Sequence, residues 1–187
     1  LGVVSLGMER SFVMADVPGL IEGASEGAGL GFRFLKHLSR TRLLLHLVDV
    51  LPADSTDPIE SAKQIASELK KFSPSLAAKE RWIVLNKVDL LDDKGVDILE
   101  AALKVELGWQ KPIYKISAIN QYGCGDLCQQ LMESIESHRQ KIIDDEDYRK
   151  EQSQQEKAMA FEIRRTIESS KNNRVSDGDN WEENWDD

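Results

Sequence analysis

Three short apolar runs constrain the fold of this chain more than any other feature: "LLLHLVDV" (43–50), "WIVLN" (82–86) and "IYKIS" (113–117). They contain β-branched residues and lack clean polar–apolar alternation, the pattern of strands buried on both faces. "SFVMA" (11–15) predicts a fourth strand and "LGVV" (1–4) the stub of a fifth. Helical spacing fills the intervals. Leu30, Phe34, Leu35 and Leu38 share one face, as do Ile59, Ala62, Ala66 and Leu69, and again Leu127, Leu131 and Ile135. The second of these helices has a marked start, with Asp57 suited to the N-cap, Pro58 to the first helical position and Glu60 to the capping box. Strand alternating with helix predicts an α/β fold, a mostly parallel sheet with helices on both faces. Its ligand loops then lie at the carboxyl ends of the strands.

At 187 residues and 41% apolar content, the chain suffices for one domain plus an extension. No stretch approaches 18 apolar residues, so no membrane span is expected, and no basic-then-apolar leader is visible. The net charge of −9 is uneven: residues 141–187 carry 8 basic and 14 acidic groups, leaving a body near neutrality. Neither part is a basic nucleic-acid surface on balance. Cys124 and Cys128 lack the partners of a zinc set and read as small apolar side chains, while His37, His46 and His138 read as structural or surface residues. The regular pattern covers 1–137 and fades near His138. A charged extension over 138–174 can hold a helix, since Met159, Ile163 and Ile167 are spaced by four. Residues 175–187, acidic and poor in apolar side chains, are expected to be a disordered tail.

Polar residues gather at the strand ends. The run 11–15 leads into Asp16, Val17, Pro18 and Gly19; the run 82–86 into Asn86, Lys87, Val88 and Asp89; and the run 113–117 into Ser117, Ala118 and Ile119. A carboxylate at Asp89 offers a two-oxygen fork, and guanine presents two adjacent donors, N1–H and the exocyclic amine, where adenine does not. Two bonds to a charged acceptor, at about 1.5–3 kcal/mol each, discriminate guanine about 10²-fold. The methylene stem of Lys87 can cover the face of a base. The Asn86 amide can brace adjacent loops, and the Ala118 N–H can donate to the guanine carbonyl. Asp16 suits magnesium through a bound water, and Gly19 lets a bare N–H approach a phosphate, with Gly23, Gly27, Gly29 and Gly31 allowing that loop to move. Alone, Asn-Lys-x-Asp reads as a polar loop and Asp-x-Pro-Gly as a turn. Their order, each following a predicted strand, is what carries the inference.

On these motifs the chain resembles the GTP-binding domain of the Obg family of bacterial GTPases. The stretch "DVPGLIEGASEGAGLGFRFLKHLSRTRLLLHLVDV" is similar to that family's switch region and following helix, and "NKVDLL" and "SAINQYGCGDL" to its base-recognition loops. The resemblance spans about residues 1–137. It implies a P-loop NTPase-like G domain, GTP and GDP as ligands, Mg²⁺ as cofactor, and a cytoplasmic monomer without a membrane role. It also implies action in ribosome assembly with the large subunit as partner.

A phosphate-cradling loop reads G-x-x-x-x-G-K-[ST]. The only glycine pair with that spacing is Gly2 and Gly7, followed by Met8 and Glu9, which supply neither cation nor hydroxyl. The resemblance places the phosphate loop, the magnesium-binding Thr and a central strand before Leu1, so the chain is expected to be a fragment without hydrolytic activity. In the family's sheet that strand lies between those matching 11–15 and 43–50. Leu20 occupies the position where many GTPases carry a water-orienting Gln, so no catalytic residue is assigned. The alternative is a stand-alone binding protein that has lost nucleotide chemistry and keeps an interaction surface.

Overall fold

The computed structural model describes residues 1–16 and 39–176. The sequence expectations for the helix around Leu30–Leu38, for Val17, Pro18 and Gly19, and for 177–187 fall outside them.

Five strands fall close to the five apolar runs. Gly2–Ser5 (β1) and Ser11–Met14 (β2) form an antiparallel hairpin, with Val3 opposite Val13. Leu44–Asp49 (β3), Arg81–Asn86 (β4) and Ile113–Lys115 (β5) form a separate parallel sheet in that order. β2 and β3 therefore belong to different sheets. The parallel sheet is covered on both faces, which explains its continuous apolar runs. Ile83 and Leu85 point to one face with Val48 and Ile113, and Val84 between them points to the other. The first face is packed by Ile59 and Ala62 of α1 (Pro58–Phe72) and by Val96 and Leu103 of α3 (Asp93–Glu106). The second is packed by Leu127, Leu131 and Met132 of α4 (Cys124–Asp144) and by Phe12 of the hairpin. Arg10 also reaches α4, through two 2.8 Å bonds to the carboxylate of Glu136. The glycine pair with phosphate-loop spacing has another place in the fold: Gly2 lies in β1, and Gly7 (φ 125°) lies in the hairpin turn, where the Leu6 N–H donates to the Arg10 carbonyl.

The start of α1 follows its sequence signals in part. Asp57 accepts from the Ile59 N–H at 2.8 Å and Pro58 opens the helix. Glu60 does not close a capping box; its carboxylate meets Lys63 at 3.0 Å, and Lys63 bridges onward to Glu106 of α3. The helix α3 is additional to those expected from the sequence: Asp92 caps it at Gly95 N (2.8 Å), and Val96, Leu99, Leu103 and Leu107 repeat at helical spacing.

The charged extension takes in the end of α4, which runs to Asp144, and a further helix, Glu146–Ser176 (α5), which passes the expected boundary at 174 and returns to the body. Met159 and Ile163 are buried, and between them Glu162 receives the Ser73 and Ser75 hydroxyls (2.6 and 2.7 Å) and the Ser75 N–H (3.0 Å). Those donors form the start of the one-turn helix α2 (Pro74–Ala78). Burial raises the Glu162 pKa, but the bonds from Ser73 and Ser75 outweigh it and leave the group below its ordinary value. Its contribution is thus complete above the ordinary glutamate range and lost as pH falls through the lowered value. Glu162→Ala strands the buried Ser73 hydroxyl and is expected to cost about 1–3 kcal/mol in a urea melt. A melt unchanged from wild type would mean that α5 is held by its apolar face alone.

His46 of β3 is a buried group without compensation. It is 6% exposed, and neither ring nitrogen has a hydrogen-bond partner among the described residues. Desolvation, and after it the positive charge of Arg81, lowers its pKa from 6.5 to about 4. Between those values the unfolded chain binds a proton that the folded chain refuses, so stability falls as pH drops from 6.5 to about 4 and levels off below. The loss amounts to about 3 kcal/mol. His46→Leu is expected to remove this part of the acid limb, so that the variant's advantage over wild type grows from pH 7 to pH 4.5. Equal acid slopes for the two proteins would contradict the assignment.

Candidate guanine-recognition site

The carboxyl ends of β3, β4 and β5 converge on one edge of the parallel sheet. Asn86, the last residue of β4, stands opposite Asp49, the last of β3, and the Val50 N–H donates to the Asn86 carbonyl at 3.1 Å. The Asn86 side-chain oxygen accepts from the Lys87 N–H at 2.9 Å and from the Ala118 N–H at 3.1 Å. One carboxamide thus joins the loop after β4 to the loop after β5. A second tie comes from the backbone, where Val88 N–H donates to the Ile116 carbonyl at 3.2 Å. Lys87 adopts a left-handed conformation (φ 67°), and the chain then enters a 3₁₀ turn over Val88–Leu90 that carries Asp89.

Asp89 is exposed, and its carboxylate has no hydrogen-bond or ion-pair partner among the described residues. It lines a cleft of about 580 Å³ together with Leu91, Lys115, Ser117, Asn120 and Tyr122. Lys115 brings no free charge there, being paired with Asp97 at 2.7 Å and Glu100 at 2.8 Å. Its bonds to Asp97 and then Glu100 raise its pKa, so the ammonium stays charged and engaged. Ser117 is fully buried; its N–H donates to the Tyr122 carbonyl at 3.0 Å, while its hydroxyl has no partner among the described residues. Ile119 is 87% exposed at the tip of the same loop. The loop turns back at Gly123, whose φ of 69° and close approach to the Lys115 carbonyl leave no room for a side chain.

The structure therefore brings Asn86, Lys87, Val88 and Asp89 together with Ser117, Ala118 and Ile119. It leaves Asp16 apart. That residue follows β2, in the other sheet, and its exposed carboxylate has no hydrogen-bond or ion-pair partner among the described residues. Among the described residues no group of three His, Cys, Asp or Glu side chains could hold a metal ion. Cys124 and Cys128 are both free. The Ala118 N–H differs from its sequence reading in one respect: it is already engaged by Asn86. One residue escaped the sequence reading altogether. Asp49 forms a 2.6 Å ion pair with the Lys87 ammonium. Its signal was present in "LLLHLVDV", an apolar strand that ends in a carboxylate at the ligand edge.

Residues 2–87, a little under half of the chain, match the family model of the 50S ribosome-binding GTPase. This match supports a GTPase G domain and GTP binding in general, and the α/β architecture with its parallel sheet is consistent with such a domain. GTPase domains of this kind generally hydrolyse GTP and use Mg²⁺. The match stops at Lys87 and does not reach Asp89 or Ser117–Ile119. No described helix is long and apolar enough to cross a membrane.

Proposed function

We propose that this chain is the base-recognising part of an Obg-type G domain. In this reading Asp89 accepts from guanine N1–H and the exocyclic amine, and the Lys87 stem lies against the base. Asn86 holds the two loops in register. The guanine carbonyl shares the Ala118 N–H with Asn86 in a three-centre bond. The observation that carries the reading is the Asn86 carboxamide bridging Lys87 and Ala118 while Asp89, beside them, has no partner among the described residues. Ordered neighbours around an uncommitted acceptor fork are what a two-donor ligand requires. Asp16, Val17, Pro18 and Gly19 would face the phosphates, with magnesium held through a water on Asp16. We extend the proposal to action on the large ribosomal subunit in the cytoplasm, supported by the resemblance and the family match. No residue is assigned to hydrolysis. The chain contains no phosphate-cradling sequence, so base contacts carry the binding, and affinity should lie in the millimolar range, about −4 kcal/mol.

An amide-resolved NMR titration of residues 1–187 tests this directly. GDP should shift the Lys87–Asp89 and Ser117–Ile119 resonances at millimolar concentration, and ADP should leave them in place. Equal shifts with both nucleotides would remove base recognition. No shift with either would favour the stand-alone interaction protein.

A further inference from the structure

Asp49 is placed where it can govern Lys87. Its Oδ1 accepts from the Leu51 N–H at 3.0 Å and its Oδ2 meets Lys87 Nζ at 2.6 Å. One oxygen is therefore anchored to the backbone of its own loop and the other is free to hold a partner from the next strand. The strand ends are themselves fixed by the bond from Val50 N–H to the Asn86 carbonyl. Both side chains remain partly exposed, 45% for Lys87 and 33% for Asp49, and exposed pairs of this kind contribute little to stability. The pair does change the conformational freedom of Lys87. A lysine stem is among the most flexible side chains, and a base that packs on it must first immobilise it.

We propose that Asp49 is a positioning residue for Lys87: it holds the ammonium so that the methylene stem is already laid out as a wall for the base. The proposal rests on the guanine reading above and deepens it. It also assigns a role to the Lys87 charge. With Asp49 as its counter-ion, the ammonium is not available to phosphate, and Lys87 acts through its stem. Loss of Asp49 must then weaken binding of the base, to the same degree whatever the number of phosphates. If Lys87 were a phosphate cation instead, freeing it would tighten the more highly charged nucleotide.

The test uses Asp49→Asn, which keeps an acceptor for the Leu51 N–H and removes the charge, with GMP, GDP and ADP as probes in NMR titrations of residues 1–187. Wild type should prefer GMP and GDP over ADP. Asp49→Asn should weaken GMP and GDP by one common factor of about three to ten, while ADP should still leave the resonances in place. Lys87→Met, which keeps a stem but cannot be tethered, should show the same loss, and adding Asp49→Asn to it should cost nothing more. The Lys87→Met arm also decides the matter if Asp49→Asn alone fails to fold. Tighter GDP binding in Asp49→Asn would overturn the proposal, as would full wild-type affinity in either variant. An equal loss from Asp49→Asn in the Lys87→Met background would reduce Asp49 to a structural role. A wild type with no preference for guanine would overturn the guanine reading itself, and the proposal with it.

Discussion

Replacing Asp89 by Asn is expected to turn the preferred base from guanine to xanthine. The wild-type carboxylate faces two donors on guanine. Asn presents one acceptor and one amide donor, so its amide meets the exocyclic amine head-on. Xanthine carries a carbonyl at that position and accepts from the same amide. Losing one charge-assisted bond and gaining an opposed donor should weaken guanine binding about 10- to 100-fold. The ratio of xanthine to guanine affinity should rise by at least about 100-fold. Asp89 is exposed and without a partner among the described residues, so the substitution should leave the thermal midpoint within about 2 °C of wild type. Competition between GDP and XDP in one titration measures the ratio independently of absolute affinity. An unchanged ratio would place base recognition elsewhere in the chain.

The largest structural effect should come from Gly123→Ala. A Cβ built at Gly123 would sit 2.2 Å from the Lys115 carbonyl oxygen, a backbone atom of β5, at a φ of 69°. The left-handed conformation alone costs an Ala about 1–2 kcal/mol, and overpacking adds about 1–3 kcal/mol. The total expected destabilisation is therefore about 2–5 kcal/mol in a denaturant melt. It should act locally as well. Gly123 precedes α4, and the segment between it and β5 holds Ser117, Ala118 and Ile119, so any relief of the clash displaces the loop that Asn86 braces. Broadening or shifting of the Ala118 amide should accompany the loss of stability. A variant with wild-type stability would mean that the turn has another conformation.

Much of the architecture was legible because parallel strands buried on both faces write long apolar runs, and because Asp57-Pro58 marks a helix start by purely local chemistry. What depended on distant partners was not legible. Glu60 had the right position for a capping box, yet Lys63 and Glu106 offered its neighbourhood a competing ion-pair chain. The course of α5 was set by a carboxylate, Glu162, meeting three donors around Ser73 and Ser75, a contact no local period encodes. The assignment of β2 and β3 to separate sheets was likewise a matter of pairing rather than of pattern.

The candidate site divides along the same line. Asn86, Lys87, Asp89, Ser117 and Ala118 could be named because each follows a strand end, and strand ends are visible in sequence. That the Ala118 N–H is occupied, and that Asp49 holds Lys87, are facts of loop geometry across β3, β4 and β5. The reason that position 123 must be glycine, the Lys115 carbonyl beneath it, appears only in three dimensions.

The central claim is that a guanine base is read by Asp89 between the loops that Asn86 joins. A crystal structure of residues 1–187 grown with GDP at several millimolar tests it most directly. Density for the base is expected in the cleft beside Asp89 and Ser117, with both carboxylate oxygens at about 2.7–3.1 Å from guanine N1 and the exocyclic nitrogen. The Lys87 stem should lie along one face of the ring, and the bond from Ala118 N–H to Asn86 should be shared with the base carbonyl. A base bound elsewhere, or bound in the cleft with the Asp89 carboxylate still turned to solvent, would contradict it.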